Sequence, residues 1–112
     1  MPGAYYYYRT AKVGQTVKFP CSLKLPYEDI EWARLATAKS RKKYIYRGNS
    51  GHGELLLDAR FTVLNGRNQA HVTLVMDNVT FHDSALYQCV QNSAGSKNER
   101  VYGLTVEGTF QS

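Results

Sequence analysis

Asp83-Ser84-Ala85-Leu86-Tyr87-Gln88-Cys89, read together with Cys21 and Trp32, is the part of the chain that decides its fold. Trp32 stands eleven residues after the first cysteine, and Tyr87 stands two residues before the second. Around this constellation, short β-branched and aromatic runs recur between clusters of Gly, Asn, Ser and Pro, and no segment holds a helical period. That pattern reads as an all-β sandwich. Val17, Phe19, Cys21 and Leu23 share a parity, so a strand over 15–25 turns them to the core and turns Thr16, Lys18 and Ser22 to water. Pro20 falls inside that run and lacks a ladder donor, which places it at an edge or a bulge. Further strands are expected over 5–10, 30–35, 44–47, 55–57, 60–64, 70–76, 85–91 and 100–106. The glycine-rich run 48–53 reads as a turn, and Asn65-Gly66 is a hairpin signal. Arg34 shares the inward parity of Ile30 and Trp32, so it needs a partner or a route to the sandwich end.

The Cys–Trp–Asp–Tyr–Cys order, with Gly14-Gln15 ahead of the first cysteine, resembles an immunoglobulin domain over nearly the whole chain. The resemblance implies a two-sheet antiparallel Greek-key sandwich with a disulfide between Cys21 and Cys89. It also implies Trp32 packed on the bridge, Tyr87 bonded back to the main chain, and Leu74 in the core. Cys21 and Cys89 are 68 positions apart, and the stretch from Trp32 to Arg60 leaves room for the added strands of the variable type. Within the family the chain resembles a V-set domain. Arg60 before Phe61 and Asp83 before Ala85 match the Arg–Asp pair with which such domains brace one end. The run 98–103 lacks the Gly-x-Gly bulge of rearranging antigen receptors, and 89–95 resembles the hairpin of I-set adhesion and muscle domains. A non-rearranging receptor or adhesion protein is therefore implied.

At 112 residues the chain fits one domain, 1–112. It holds no apolar run of bilayer length, so no membrane insertion by this segment is expected. Met1-Pro2-Gly3 leads into tyrosines rather than a secretory leader, which reads as a domain excised from a larger multidomain protein. Paired cysteines point to an oxidising compartment, extracellular or at the cell surface. The alternative is two reduced thiols, as in intracellular immunoglobulin domains. Asn78-Val79-Thr80 fits a glycan acceptor and leans towards secretion. The net charge of +5 favours acidic partners. Nucleic acid is discounted, because no recognition helix, zinc finger or stacking-sheet motif accompanies the charge.

No catalytic reading is supported. His52, His71 and His82 lack metal-ligand spacing, and no cofactor is implied. His82, Asp83 and Ser84 are neighbours on one turn that point in different directions, without an oxyanion motif. Binding remains. By resemblance, the sheet holding Trp32 would turn Glu31, Ala33, Leu35, Leu86, Gln88 and Val90 outward, joined by one parity of the strand carrying Tyr44 and Tyr46. Leu35, Leu86 and Val90 would make an apolar centre for another protein, a second copy included. Lys39, Arg41, Lys42 and Lys43 form a basic loop that fits an acidic glycan; the bland alternative is a solvated loop tip. Two functions follow: an extracellular recognition module in adhesion or immune-type recognition, or a structural spacer of a multidomain chain, intracellular muscle-type chains included. The four consecutive tyrosines 5–8 place two rings on each face, as core packing or as partner anchors.

Overall fold

A computed structural model describes residues 5–21, 29–36, 41–47, 58–64, 72–93 and 96–108. Its strands are β1 (Tyr5–Lys12), β2 (Val17–Phe19), β3 (Asp29–Leu35), β4 (Lys43–Arg47), β5 (Phe61–Leu64), β6 (Thr73–Met76), β7 (Ala85–Ser93) and β8 (Ser96–Glu107). They form a five-stranded sheet, β1-β8-β7-β3-β4, and a three-stranded sheet, β2-β6-β5. Every pairing is antiparallel except β1 with β8, which is parallel. The expected segments 55–57 and 65–66 and the core position Leu23 lie outside the described residues.

Alternation explains the two layers. Val17, Phe19 and Cys21 are buried while Lys18 is exposed, and Ile30 and Trp32 are buried on β3. Tyr87 and Cys89 on β7, Tyr102, Leu104 and Val106 on β8, and Leu74 and Met76 on β6 join the same cluster. Each large apolar side chain so buried contributes about 1.5–3 kcal/mol. β2 ends at Phe19, directly before Pro20, on an edge of the smaller sheet where a missing N–H costs no ladder bond. Beyond the proline the pairing resumes, with Cys21 and Val72 exchanging both main-chain hydrogen bonds at 3.1 and 2.9 Å.

The two layers are tied by a covalent bridge between Cys21 and Cys89. Trp32 is fully buried and its indole Nε1 donates to the Val72 carbonyl at 3.3 Å, satisfying the one polar atom of the ring. Tyr102 was not singled out by the sequence, yet it is the hub of the aromatic core. Its ring stacks on Phe19 at 4.5 Å and lies 6.1 Å from Trp32, and its hydroxyl donates to the Pro20 carbonyl.

One end of the sandwich is closed by the turn between β6 and β7. There a 3-10 turn, Phe81–Asp83, is capped by Thr80, whose hydroxyl accepts from the His82 amide while the Asp83 carboxylate accepts from the Thr80 amide. Asp83 also receives Arg60 Nη1 at 2.7 Å and Nη2 at 3.1 Å, and Arg34 Nη1 lies 4.0 Å away. Arg34 thus reaches the sandwich end; it also donates to the His82 carbonyl and covers the Tyr87 ring. Tyr87 completes the corner by donating its hydroxyl to the Asp83 carbonyl at 2.6 Å.

Candidate recognition face

The face of the five-stranded sheet turned away from β2-β6-β5 is built of three cross-strand rows. The first runs Tyr8, Gly103, Leu86, Leu35. The second runs Tyr6, Val101, Gln88, Ala33, Tyr44, and the third Glu99, Val90, Glu31, Arg47. Apolar and small residues dominate the first two rows, while charge is confined to the third. Among the described residues every element belongs to one of the two sheets or to the 3-10 turn at the end, and none of them forms a third layer over this face.

Register and burial correct the expected contact set in two ways. Ala33, Leu35 and Val90 are already buried within the chain: Ala33 lies between Gln88 and Tyr44, Val90 between Glu31 and Glu99, and Leu35 beside Leu86. They form a floor, not an exposed centre. Tyr46 does not join the face at all. The β3–β4 register shifts between Trp32 and Ala33, so Tyr46 pairs with inward Trp32 and enters the core beside Ile45. Simple alternation along β4 fails across that bulge.

What stays open is Leu86, Gln88, Glu31 and Tyr44 in part, together with Tyr6 and Tyr8, 53 % and 76 % exposed. The Tyr8 ring lies over Gly103, close enough that a Cβ there would meet the ring at 2.7 Å. Glycine at this position lets an aromatic ring lie against the strand beside Leu86. The tetra-tyrosine signal was legible in the sequence; which rings face outward needed the parallel register with β8. Tyr7 shares the other face and stacks on Tyr102 at 5.4 Å.

Gln88 sits in the middle row. It donates Nε2 to Glu99 at 2.9 Å, and its buried Oε1 has no hydrogen-bond partner among the described residues. Glu31 pairs with Arg47 at 3.5 Å, and the Arg47 guanidinium lies 4.5 Å over the Tyr44 ring. On the third row, Glu31 and Arg47 are thus paired with each other, and Glu99 accepts from Gln88.

Of the basic loop, Arg41 and Lys43 are exposed and Lys42 lies 6.0 Å over the Tyr44 ring, whereas Lys39 lies outside the described residues. Asn78 is exposed at a turn with φ +51°, and its carbonyl accepts from Arg60 at 3.2 Å. His52 and His71 lie outside the described residues. No cluster of metal-ligating side chains occurs among the described residues.

The family description "Immunoglobulin V-set domain" matches residues 7–107. The chain belongs to this family. The match takes in both sheets, the bridge and the Arg60–Asp83 corner. No curated protein matches the chain. V-set domains generally bind other proteins, and a disulfide-bonded V-set domain is typical of extracellular or cell-surface proteins. No helix among the described residues is long and apolar enough to cross a membrane.

Proposed function

We propose that this V-set domain is an extracellular recognition module of a cell-surface adhesion or immune-type receptor, binding another protein through the outer face of β1-β8-β7-β3-β4. The observation that carries the reading is the contiguity of exposed Tyr6 and Tyr8 with partly open Leu86 on a sheet face lacking a third layer among the described residues. Tyrosine beside apolar surface is the composition of protein–protein hot spots. A second copy is one partner such a face takes, since closed two-fold pairing needs only one self-complementary patch. The disulfide and the exposed acceptor Asn78 support the oxidising, glycosylated setting of a secreted chain.

Leu86→Arg tests the face. Sedimentation reads self-association, and staining of cells with the multimerised domain reads binding to other proteins. The substitution is expected to remove at least one of these while circular dichroism stays unchanged. Undiminished association by both measures would leave the domain as a spacer whose sheet face contacts nothing.

A further inference from the structure

β1 is the outer strand of the five-stranded sheet and, among the described residues, pairs with β8 alone. Residues 6–10 are exposed on both parities, Tyr7 at 42 % included. The register with β8 runs from Tyr5 to Lys12 without a bulge, and the strand holds no Pro or Gly. Such an edge is a template for one more strand.

The phase of the ladder says which main-chain groups are open. The Val13 amide donates to the Glu107 carbonyl at 2.9 Å, continuing the β1–β8 ladder one residue past its end. Odd-numbered residues of β1 therefore turn N–H and C=O towards β8, and even-numbered residues turn theirs to the outer edge. At Lys12 the outward groups are used within the chain: its amide donates to Gln15 Oε1 at 2.9 Å and its carbonyl accepts from the Gln15 amide at 3.0 Å. At Tyr6, Tyr8 and Thr10 the outward groups have no partner among the described residues.

A second copy of the chain matches this edge in one register. About a two-fold axis normal to the sheet, antiparallel strands set each residue opposite one of its own parity, so outer face continues into outer face. With Tyr8 on the axis, the two Tyr8 residues exchange both main-chain bonds, and Tyr6 of each copy does so with Thr10 of the other. All the open groups are then used, and no engaged group is asked for. Arg9 lies opposite Tyr7. Centring the axis on Arg9 sets two cations directly opposite each other and brings Tyr6 onto the engaged Lys12. Centring it on Tyr7 carries Thr10 past the start of the opposing strand at Tyr5.

We propose that β1 is a self-association edge, through which two copies pair antiparallel at Tyr6, Tyr8 and Thr10 and join their five-stranded sheets into one. The outer faces of both copies lie on the same side of that sheet, so a surface-bound partner would be met bivalently. The pairing is made by main-chain groups at the edge and does not rest on the protein-binding reading of the face.

Sedimentation equilibrium in salt that screens the +5 charge of each copy is the test. Wild type is expected to form a dimer and no larger species, because the pairing closes on itself. Thr10→Pro removes an outward N–H and no bond to β8, so it is expected to keep the fold and weaken the dimer at least about tenfold. Leu86→Arg, on the face, is expected to leave the dimer unchanged. Cross-linking reads the register without a proline. The chain's own two cysteines are bonded to each other, so an introduced thiol has only its counterpart to meet. Hydrogen-bonded antiparallel partners stand about 5.5 Å apart at Cα, within disulfide reach, so Tyr8→Cys is expected to give a covalent dimer on mild oxidation. Tyr6→Cys, which faces Thr10, is expected not to. A wild-type chain that stays monomeric overturns the proposal, and leaves the edge at most to an extended peptide of another protein. A dimer that survives Thr10→Pro, or that Leu86→Arg dissociates, also overturns it, as does cross-linking of Tyr6→Cys as readily as Tyr8→Cys.

Discussion

The Asp83 carboxylate is 1 % exposed and accepts from both terminal nitrogens of Arg60 and from the Thr80 amide. Burial alone would raise its pKa, but the bonds from Arg60 and Thr80 and the nearby Arg34 charge outweigh it and hold the carboxyl below its ordinary value of 3.8. The same contacts push the Arg60 guanidinium further above its already high value, Asp83 first and Asp58 second. Because the folded pKa is depressed, this stability is present above the unfolded value and is lost as pH falls through the lower folded one. Asp83→Ala leaves Arg60 only its more exposed partner Asp58 and takes the acceptor from the Thr80 amide, and is expected to cost about 3 kcal/mol in chemical denaturation. Asp58→Ala breaks a pair whose two side chains are about a third exposed and should cost about 0–1 kcal/mol. In a pH series, the stability gap between wild type and Asp83→Asn should stay constant near neutrality and narrow below about pH 4. A gap that widens on acidification would contradict the assignment.

At the scale of elements, the disulfide and the β1–β8 pairing make distinct predictions. Cys21→Ala with Cys89→Ala removes the covalent tie between β7 and the end of β2 and is expected to cost about 2–5 kcal/mol, read as a lower melting temperature. Gly103→Ala does something different. Its Cβ would displace the ring of Tyr8, which is mostly exposed, so melting should change little while binding through the face falls. A large loss of stability there would mean that Tyr8 is part of the core after all. These elements also show what could be seen in the sequence. Cys21, Trp32, Arg60, Asp83 and Tyr87 were legible because their spacing reflects fixed contacts between sheets. Val17, Phe19 and Cys21 were legible from period two, and the chain break at Pro20 from a missing donor. Tyr46 was misread because a bulge resets parity without leaving a mark in local composition. Ala33, Leu35 and Val90 have the outward parity that was read, but their burial depends on side chains of neighbouring strands.

For the molecule as a whole, the net charge of +5 sets how any assembly responds to salt. Two copies repel, so self-association through the uncharged rows of the face should tighten as salt screens the repulsion, whereas an acidic ligand at the basic loop should be released. Sedimentation and saccharide titration over one salt series would then move in opposite directions. The claim on which the account turns is that a protein partner docks on the Tyr6, Tyr8 and Leu86 surface. The most direct measurement is staining of ligand-bearing cells by the multimerised domain, comparing wild type and Leu86→Arg before and after the cells are stripped of acidic glycans. The account predicts that wild type still stains the stripped cells and that Leu86→Arg does not. Staining by Leu86→Arg at the wild-type level, with folding intact, would contradict it.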